Sequence, residues 1–204
     1  MKILVLDTET TGLDILKHEI IQIGFLCFEL NDDKQEIISK KEINIKPKHL
    51  ELADKKALEI NGFTKKKWRG SKIFDEHADE IKDLIEQADY LLGQNLIFDL
   101  RFISQSFKNI NLDAPKFPKY IDTKKMASVL VSEGKLKSAS MDKMCEHFKV
   151  TFEGDAHTAL TDCERTLSVW NCLLKENVKY DYNSFKKPFD PYKNKEVGKK
   201  KKKL

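Results

Sequence analysis

Asp7 and Glu9 stand two residues apart at the end of the apolar run KILVLD. A strand that continues through both points their carboxylates to one face and Thr8 to the other. Asp99 lies in NLIFDLRF, among Phe98, Leu100 and Phe102, and Asp162 falls in the stripe region of an amphipathic segment in the last third of the chain. Burying such acids is costly unless each carboxylate is hydrogen-bonded or bound to a cation. Four carboxylates from three elements repel one another if they converge, and bound cations offset that. Hard oxygen ligands without a cysteine suit magnesium or manganese. His157 precedes Asp162 by five residues and follows Gly154 and Asp155. Each residue also has a plainer role: Asp7 as a strand-end cap, Glu9 as a surface acid, Asp99 on an exposed helical face, Asp162 as partner of Arg165 or Lys175, and His157 as a surface histidine beside Asp155.

The elements that must position these groups are read from apolar periodicity. Lys2 to Asp7 is too compact for a helix and reads as a buried strand, with Gly12 turning the chain just beyond. EIIQIGFLCFE from Glu19 to Glu29 and the segment Glu36 to Ile45 form a hairpin about the turn Asn31 to Lys34. A short helix carrying Leu52, Leu58 and Ile60 closes at Asn61-Gly62. Ser71 is the expected cap of a helix with Ile73, Phe74, Ala78, Ile81, Leu84 and Ile85. Tyr90 to Gly93 is a strand, followed by a helix with Phe98, Phe102, Ile103 and Phe107. A strand over Tyr120 and Ile121 leads to a helix capped by Asp122 or Thr123. Ser138 or Ser140 starts the next helix, and a long one runs from about His157 to Leu174. This order asks for an α/β domain, a mixed sheet with helices on both faces.

A chain of 204 residues has the length of one domain and buries roughly 70% of its unfolded surface, so it needs no staple. Forty per cent apolar and 34% charged side chains exclude collagen-like and wholly disordered chains. No apolar run approaches the roughly 18 residues of a membrane span. With no visible address, the expected location is the cytoplasm. Cys27, Cys145, Cys163 and Cys172 follow no zinc-site spacing and are expected as reduced, mostly buried thiols. Residues 1–178 carry 27 basic and 30 acidic side chains, whereas 179–204 carry ten lysines against three acids. The expected division is a domain over 1–178, then an extended arm and a disordered lysine-rich tail over 179–204. That tail either attracts polyanions or merely solubilises the terminus.

DTETTGL at Asp7 to Leu13, NLIFDLRFI at Asn95 to Ile103 and HTALTDCERT at His157 to Thr166 resemble the three motifs of the DnaQ-like 3′-to-5′ exonucleases. The similarity is to the variant with four acids and a histidine (DEDDh), whose members include the proofreading subunit of bacterial DNA polymerase III, ribonuclease T and oligoribonuclease. LEINGFT and YIDTKKMA extend it over about residues 2–175. Gln94 departs from the histidine that many relatives place before the asparagine. The resemblance implies a ribonuclease H-like fold with a five-stranded mixed sheet. It implies two Mg2+ or Mn2+ ions held by Asp7, Glu9, Asp99 and Asp162, with Asp7 bridging. Glu9 and Asp162 hold the ion of the attacking water, Asp99 completes the other, and His157 is the general base. Thr8, Thr10, Leu13 and Phe98 are the expected contacts to the terminal nucleotide. The implied activity releases nucleoside 5′-monophosphates from the 3′ end of single-stranded DNA or RNA, alone or as a DNA polymerase subunit, with no membrane partner. The alternatives are an interaction module docked on a polymerase or other nucleic-acid machine, and a catalytically inactive nucleic-acid binder recruited through its lysine tail.

Overall fold

The computed structural model describes residues 1–32, 34–152 and 158–178. His157 and the arm and tail beyond residue 178 lie outside the described residues, as does Asp33. Five strands form one mixed sheet: β1 (Lys2–Thr10), β2 (Ile20–Asn31), β3 (Lys34–Asn44), β4 (Tyr90–Gly93) and β5 (Lys119–Asp122), in the order β3-β2-β1-β4-β5. β1 runs antiparallel to β2 and parallel to β4, so it is the strand at which the sheet changes character. Six α-helices accompany it among the described residues: α1 (Lys55–Ile60), α2 (Ala78–Glu86), α3 (Ile97–Asn109), α4 (Thr123–Ser132), α5 (Met141–Phe148) and α6 (Ala159–Lys175).

Alternation along β1 sorts the core into two layers. Leu4 and Leu6 pack with Ile81 and Ile85 of α2 and Leu100, Ile103 and Phe107 of α3. Ile3 and Val5 pack on the opposite face with Met126 and Leu130 of α4, Met144 of α5, and Cys163, Trp170 and Leu173 of α6. The expected layered α/β architecture is therefore present. Cys27, Cys145 and Cys163 are buried free thiols and Cys172 is half-buried. No helix among the described residues is long and apolar enough to cross a membrane.

Several boundaries differ from the sequence expectation. β1 continues past Asp7 to Thr10, because residues 3–10 pair with β2 throughout. Leu52 lies in a separate 3-10 turn, Leu50–Leu52, and Asp54 caps α1 by accepting from Lys56 N. Ser71 caps no helix: a 3-10 turn over Phe74–His77 intervenes before α2 starts at Ala78. Asp122 caps α4, its carboxylate accepting from Lys124 N. Thr158 caps α6 and moves its start to Ala159.

Candidate active site

β4 last pairs with β1 at Leu92 and Val5, and β1 runs on past the end of β4 through Asp7 and Glu9, at the kind of crevice where open α/β sheets bind ligands. Because β1 stays extended through Thr10, Asp7 and Glu9 continue the row of Ile3 and Val5 towards α6. Glu9 is opposite Gln22 and Asp7 is opposite Gly24 on β2. Asp162, in the first turn of α6, completes a cluster in which one carboxylate oxygen from each of Asp7, Glu9 and Asp162 lies within 4.8 Å of the others.

Two β2 residues set the position of α6. The Gln22 side-chain carbonyl accepts from Ala159 N at 2.8 Å, while its amide donates to Asn44 Oδ1 at 2.8 Å. Gly24 leaves room for the helix backbone: a Cβ placed there falls 2.3 Å from the carbonyl carbon and oxygen of Ala159. Neither residue was among the sequence candidates. A glutamine and a glycine inside the apolar strand IIQIGF are the signal that could have found them, since a strand glycine often marks close backbone approach.

Asp99 lies in the first turn of α3 and is 4% exposed. Its Oδ1 accepts from Thr8 N at 2.9 Å and from Thr8 Oγ1 at 2.6 Å. The structure thus brings Asp7, Glu9 and Asp162 together directly, with Asp99 fastened to β1 through Thr8. Asp162 also accepts from the buried Arg165, Nη1 to Oδ1 at 2.8 Å, and that guanidinium bridges to Asp142 on α5. The pairing with Arg165 and membership of the acidic cluster therefore coexist.

Thr8 and Thr10, expected to touch the terminal nucleotide, also make hydrogen bonds within the chain. Thr8 donates both its groups to Asp99, and the Thr10 hydroxyl donates to Gly12 O at 2.7 Å. Both hydroxyls serve to shape the site. Gly12, at φ 155°, carries the turn that follows. Leu13 and Phe98 do come together, lining a cavity of about 360 Å³ with Asn95 and Arg101. Leu13 is 83% exposed, an apolar side chain held open to solvent at the rim. Gln94 has a structural role: it donates to Ala139 O at 2.8 Å and accepts from Thr123 Oγ1 at 2.5 Å, tying β4 to α4.

Burial dominates the electrostatics. It raises Asp7 well above its ordinary value, reinforced by Asp99, Asp162 and Glu9 and opposed by Arg165. Burial, then Asp162, Asp99 and Glu42, push Glu9 up to about 8 from 4.5. Burial raises Asp99 to about 7 from 3.8 despite the hydrogen bond from Thr8. Half-buried Asp7 and Glu9 and buried Asp99, all raised, are oxygen donors that resist ionisation and fit a hard divalent cation, whose charge replaces the missing protons.

A linkage follows. Without metal, the unfolded chain ionises Glu9 above pH 4.5 while the folded chain keeps it protonated until about 8, so stability falls across that window. Asp99 acts with the same sign between 3.8 and about 7. The melting temperature of chelated protein is expected to drop by several degrees from pH 5 to 8, and saturating manganese to reduce that drop. Thermal scans over this range check it; a flat profile in chelator contradicts the carboxylate burial.

Residues 4–170 match the family model described as "Exonuclease". The chain belongs to the exonuclease family. Curated relatives of this exonuclease-family chain include the DNA polymerase III subunit epsilon of Pasteurella multocida, 29% identical over 181 residues that cover 82% of this chain and 66% of the relative. The PolC-type DNA polymerase III of Thermotoga maritima is 32% identical over 168 residues, covering 81% of this chain and 11% of the relative. The chain thus spans just under two thirds of the first and about a ninth of the second. Among solved structures, the nuclease domain of 3′hExo, a DEDDh family member bound to rAMP, superposes at a TM-score of 0.72, with 17% identity, over 93% of this chain and 96% of that one. Exonuclease I in a product-bound form gives 0.70 and 18% identity over 86% of this chain and 43% of that one. These likenesses show that the exonuclease-family sheet and helices take the ribonuclease H-like fold.

Proposed function

We propose that this chain is a divalent-metal-dependent 3′-to-5′ exonuclease that hydrolyses the terminal phosphodiester of single-stranded DNA or RNA and releases nucleoside 5′-monophosphates. The carrying observation is the convergence of Asp7, Glu9 and Asp162 within 4.8 Å in a chain of the exonuclease family. Asp7, Glu9, Asp99 and Asp162 hold two Mg2+ or Mn2+ ions. Bound there, the ions supply a water acidic enough to attack at neutral pH and neutralise charge on the scissile phosphate. Asp7, central on β1, orients both halves of the site, and Thr8 fixes Asp99. Leu13 and Phe98 sandwich the terminal base across their shared cavity, an arrangement that tolerates any base because every base has a π-face. His157, carried from the sequence motif, accepts the proton of the attacking water. Residues 1–178 are the segment assigned this work.

A docking module without activity has no use for mutually repelling, half-buried clustered acids, so catalysis is favoured over that alternative; the polymerase names of the relatives support assembly with a polymerase as a partner. The deciding experiment is a panel of matched single-stranded and duplex DNA and RNA, with free and blocked 3′ ends, incubated with magnesium or manganese. Shortening from free 3′ ends, abolished by chelator, is expected. Full turnover in excess chelator, or cleavage indifferent to a 3′ block, refutes the proposal.

A further inference from the structure

Seven of the eight charged side chains between Lys55 and Lys72 are basic, in a body whose net charge over residues 1–178 is −3. Lys55, Lys56, Lys65, Lys66, Lys67 and Arg69 are all exposed, and none has a carboxylate partner among the described residues. Cations without a carboxylate partner, gathered in one segment of an acidic body, form a field for a polyanion; one of them, Lys67, holds its Nζ 5.3 Å from the Trp68 ring centroid.

The segment that presents them is tightly built. Trp68, in the middle of KKKWR, is 4% exposed and packs its ring on Phe63, with centroids 4.8 Å apart. Its indole donates to Ile21 O at 2.8 Å. Trp68 N bonds Thr64 O at 3.1 Å, Lys67 N bonds Thr64 Oγ1 at 3.1 Å, and Arg69 N bonds Lys66 O at 3.2 Å. The buried tryptophan anchors the loop while its neighbours face water.

The anchoring point is what gives the patch its meaning. Pairing of β1 with β2 passes from Glu9↔Gln22 to Thr10↔Ile20, so Ile21 is an extra residue beside the acidic cluster. Its carbonyl receives the Trp68 indole. Asn61 Nδ2 grips Thr10 O at 2.9 Å, and Asp54 N bonds Thr11 O at 2.8 Å. The basic loop is thus fastened to the same turn of chain that follows Glu9.

We propose that Lys65, Lys66, Lys67 and Arg69, with Lys55 and Lys56 at the start of α1 in the same segment, bind the phosphates of the nucleic-acid strand upstream of the 3′-terminal nucleotide. This rests on the exonuclease reading for the placement of the terminus, while the binding itself needs no catalysis. Because Trp68 is buried, the loop offers no base-stacking surface, and recognition is by charge, independent of sequence and of the sugar. A long strand therefore gains affinity over a dinucleotide that reaches only the acidic cluster and the Leu13–Phe98 cavity.

The test uses the full-length chain and the variant K65Q/K66Q/K67Q/R69Q, which leaves Trp68 and every loop hydrogen bond in place. Fluorescence anisotropy in chelator follows a labelled 20-nucleotide DNA strand and a labelled dinucleotide from 50 to 300 mM salt. Each lost phosphate contact lowers the slope of log affinity against log salt by about 0.7 for single strands, so the slope for the long strand is expected to fall by roughly 2 to 3. The dinucleotide slope is expected to stay the same. An unchanged slope for the long strand overturns the proposal, including where the variant instead loses binding to polyglutamate and the patch is a protein-docking surface. A parent protein that does not bind the long strand also overturns it. Binding with no shortening of the strand when magnesium is added tells against the exonuclease reading alone.

Discussion

Asp7→Asn and Asp162→Asn are each expected to bring 3′-end hydrolysis to background and to abolish the manganese-binding isotherm. Each change replaces an anionic oxygen by an amide inside a cluster whose members lie within 4.8 Å, so cation affinity and phosphate alignment fail together. His157→Ala should behave differently, since it keeps all four acids. Its single-turnover rate is expected to fall by about 10²- to 10⁴-fold while manganese still binds. The remaining rate should climb more steeply with pH than the parent's, as hydroxide takes over from the lost proton acceptor. Calorimetric titration with manganese beside single-turnover rates from pH 6 to 9 separates the cases. Loss of manganese binding in H157A as complete as in D7N makes His157 a ligand or support; a parental rate at every pH removes it from catalysis.

The second large effect is expected at a residue that bears no functional group. Gly24→Ala inserts a Cβ 2.3 Å from the Ala159 backbone, and a backbone cannot step aside as a side-chain tip can. Either β2 or the first turn of α6 must move. Overpacking of this kind costs about 1 to 3 kcal/mol, a fall of roughly 2 to 12 °C in melting temperature for a domain of this size. Activity should suffer far more, because Asp162 rides on that turn and a 1 Å misplacement of a catalytic group costs about 10²-fold. Far-ultraviolet dichroism, thermal melts and manganese titration on G24A check this. A variant with parental melting temperature and manganese affinity shows that α6 accommodates the methyl group, and the positioning role given to Gly24 is then wrong.

What the sequence made legible follows from the range of each interaction. Asp7 and Glu9 share a face because of the two-residue period of one strand, a local rule, and the structure keeps that strand extended. Asp162 announced itself as an acid in an apolar helix. Asp99 stood out for the same reason, but its partner Thr8 lies 91 residues away, so the hydrogen bonds that tie Asp99 to Thr8 were not legible in the sequence. Gln22 and Gly24 were missed because their work depends on how β2 meets a helix begun 137 residues after Gln22. The start of α2 was misplaced because the apolar positions Ile73 and Phe74 continue the helical period through a 3-10 turn. No role for the basic loop was legible in KKKWR, because only the Trp68 indole on Ile21 reveals which part of the molecule that loop serves.

The first and last regular elements of the domain, β1 and α6, carry the three clustered carboxylates. During synthesis the sheet and α2 to α5 can all be made before Asp162 exists. A nascent chain short of residue 162 therefore has Asp7 and Glu9 in place and no third ligand, and it cannot assemble the cation cluster. If the domain hydrolyses nucleic acid as proposed, this ordering keeps it silent until α6 has been made and has docked. The same ordering makes docking of α6 the step that divalent cations favour, so they draw the folding domain towards its active form.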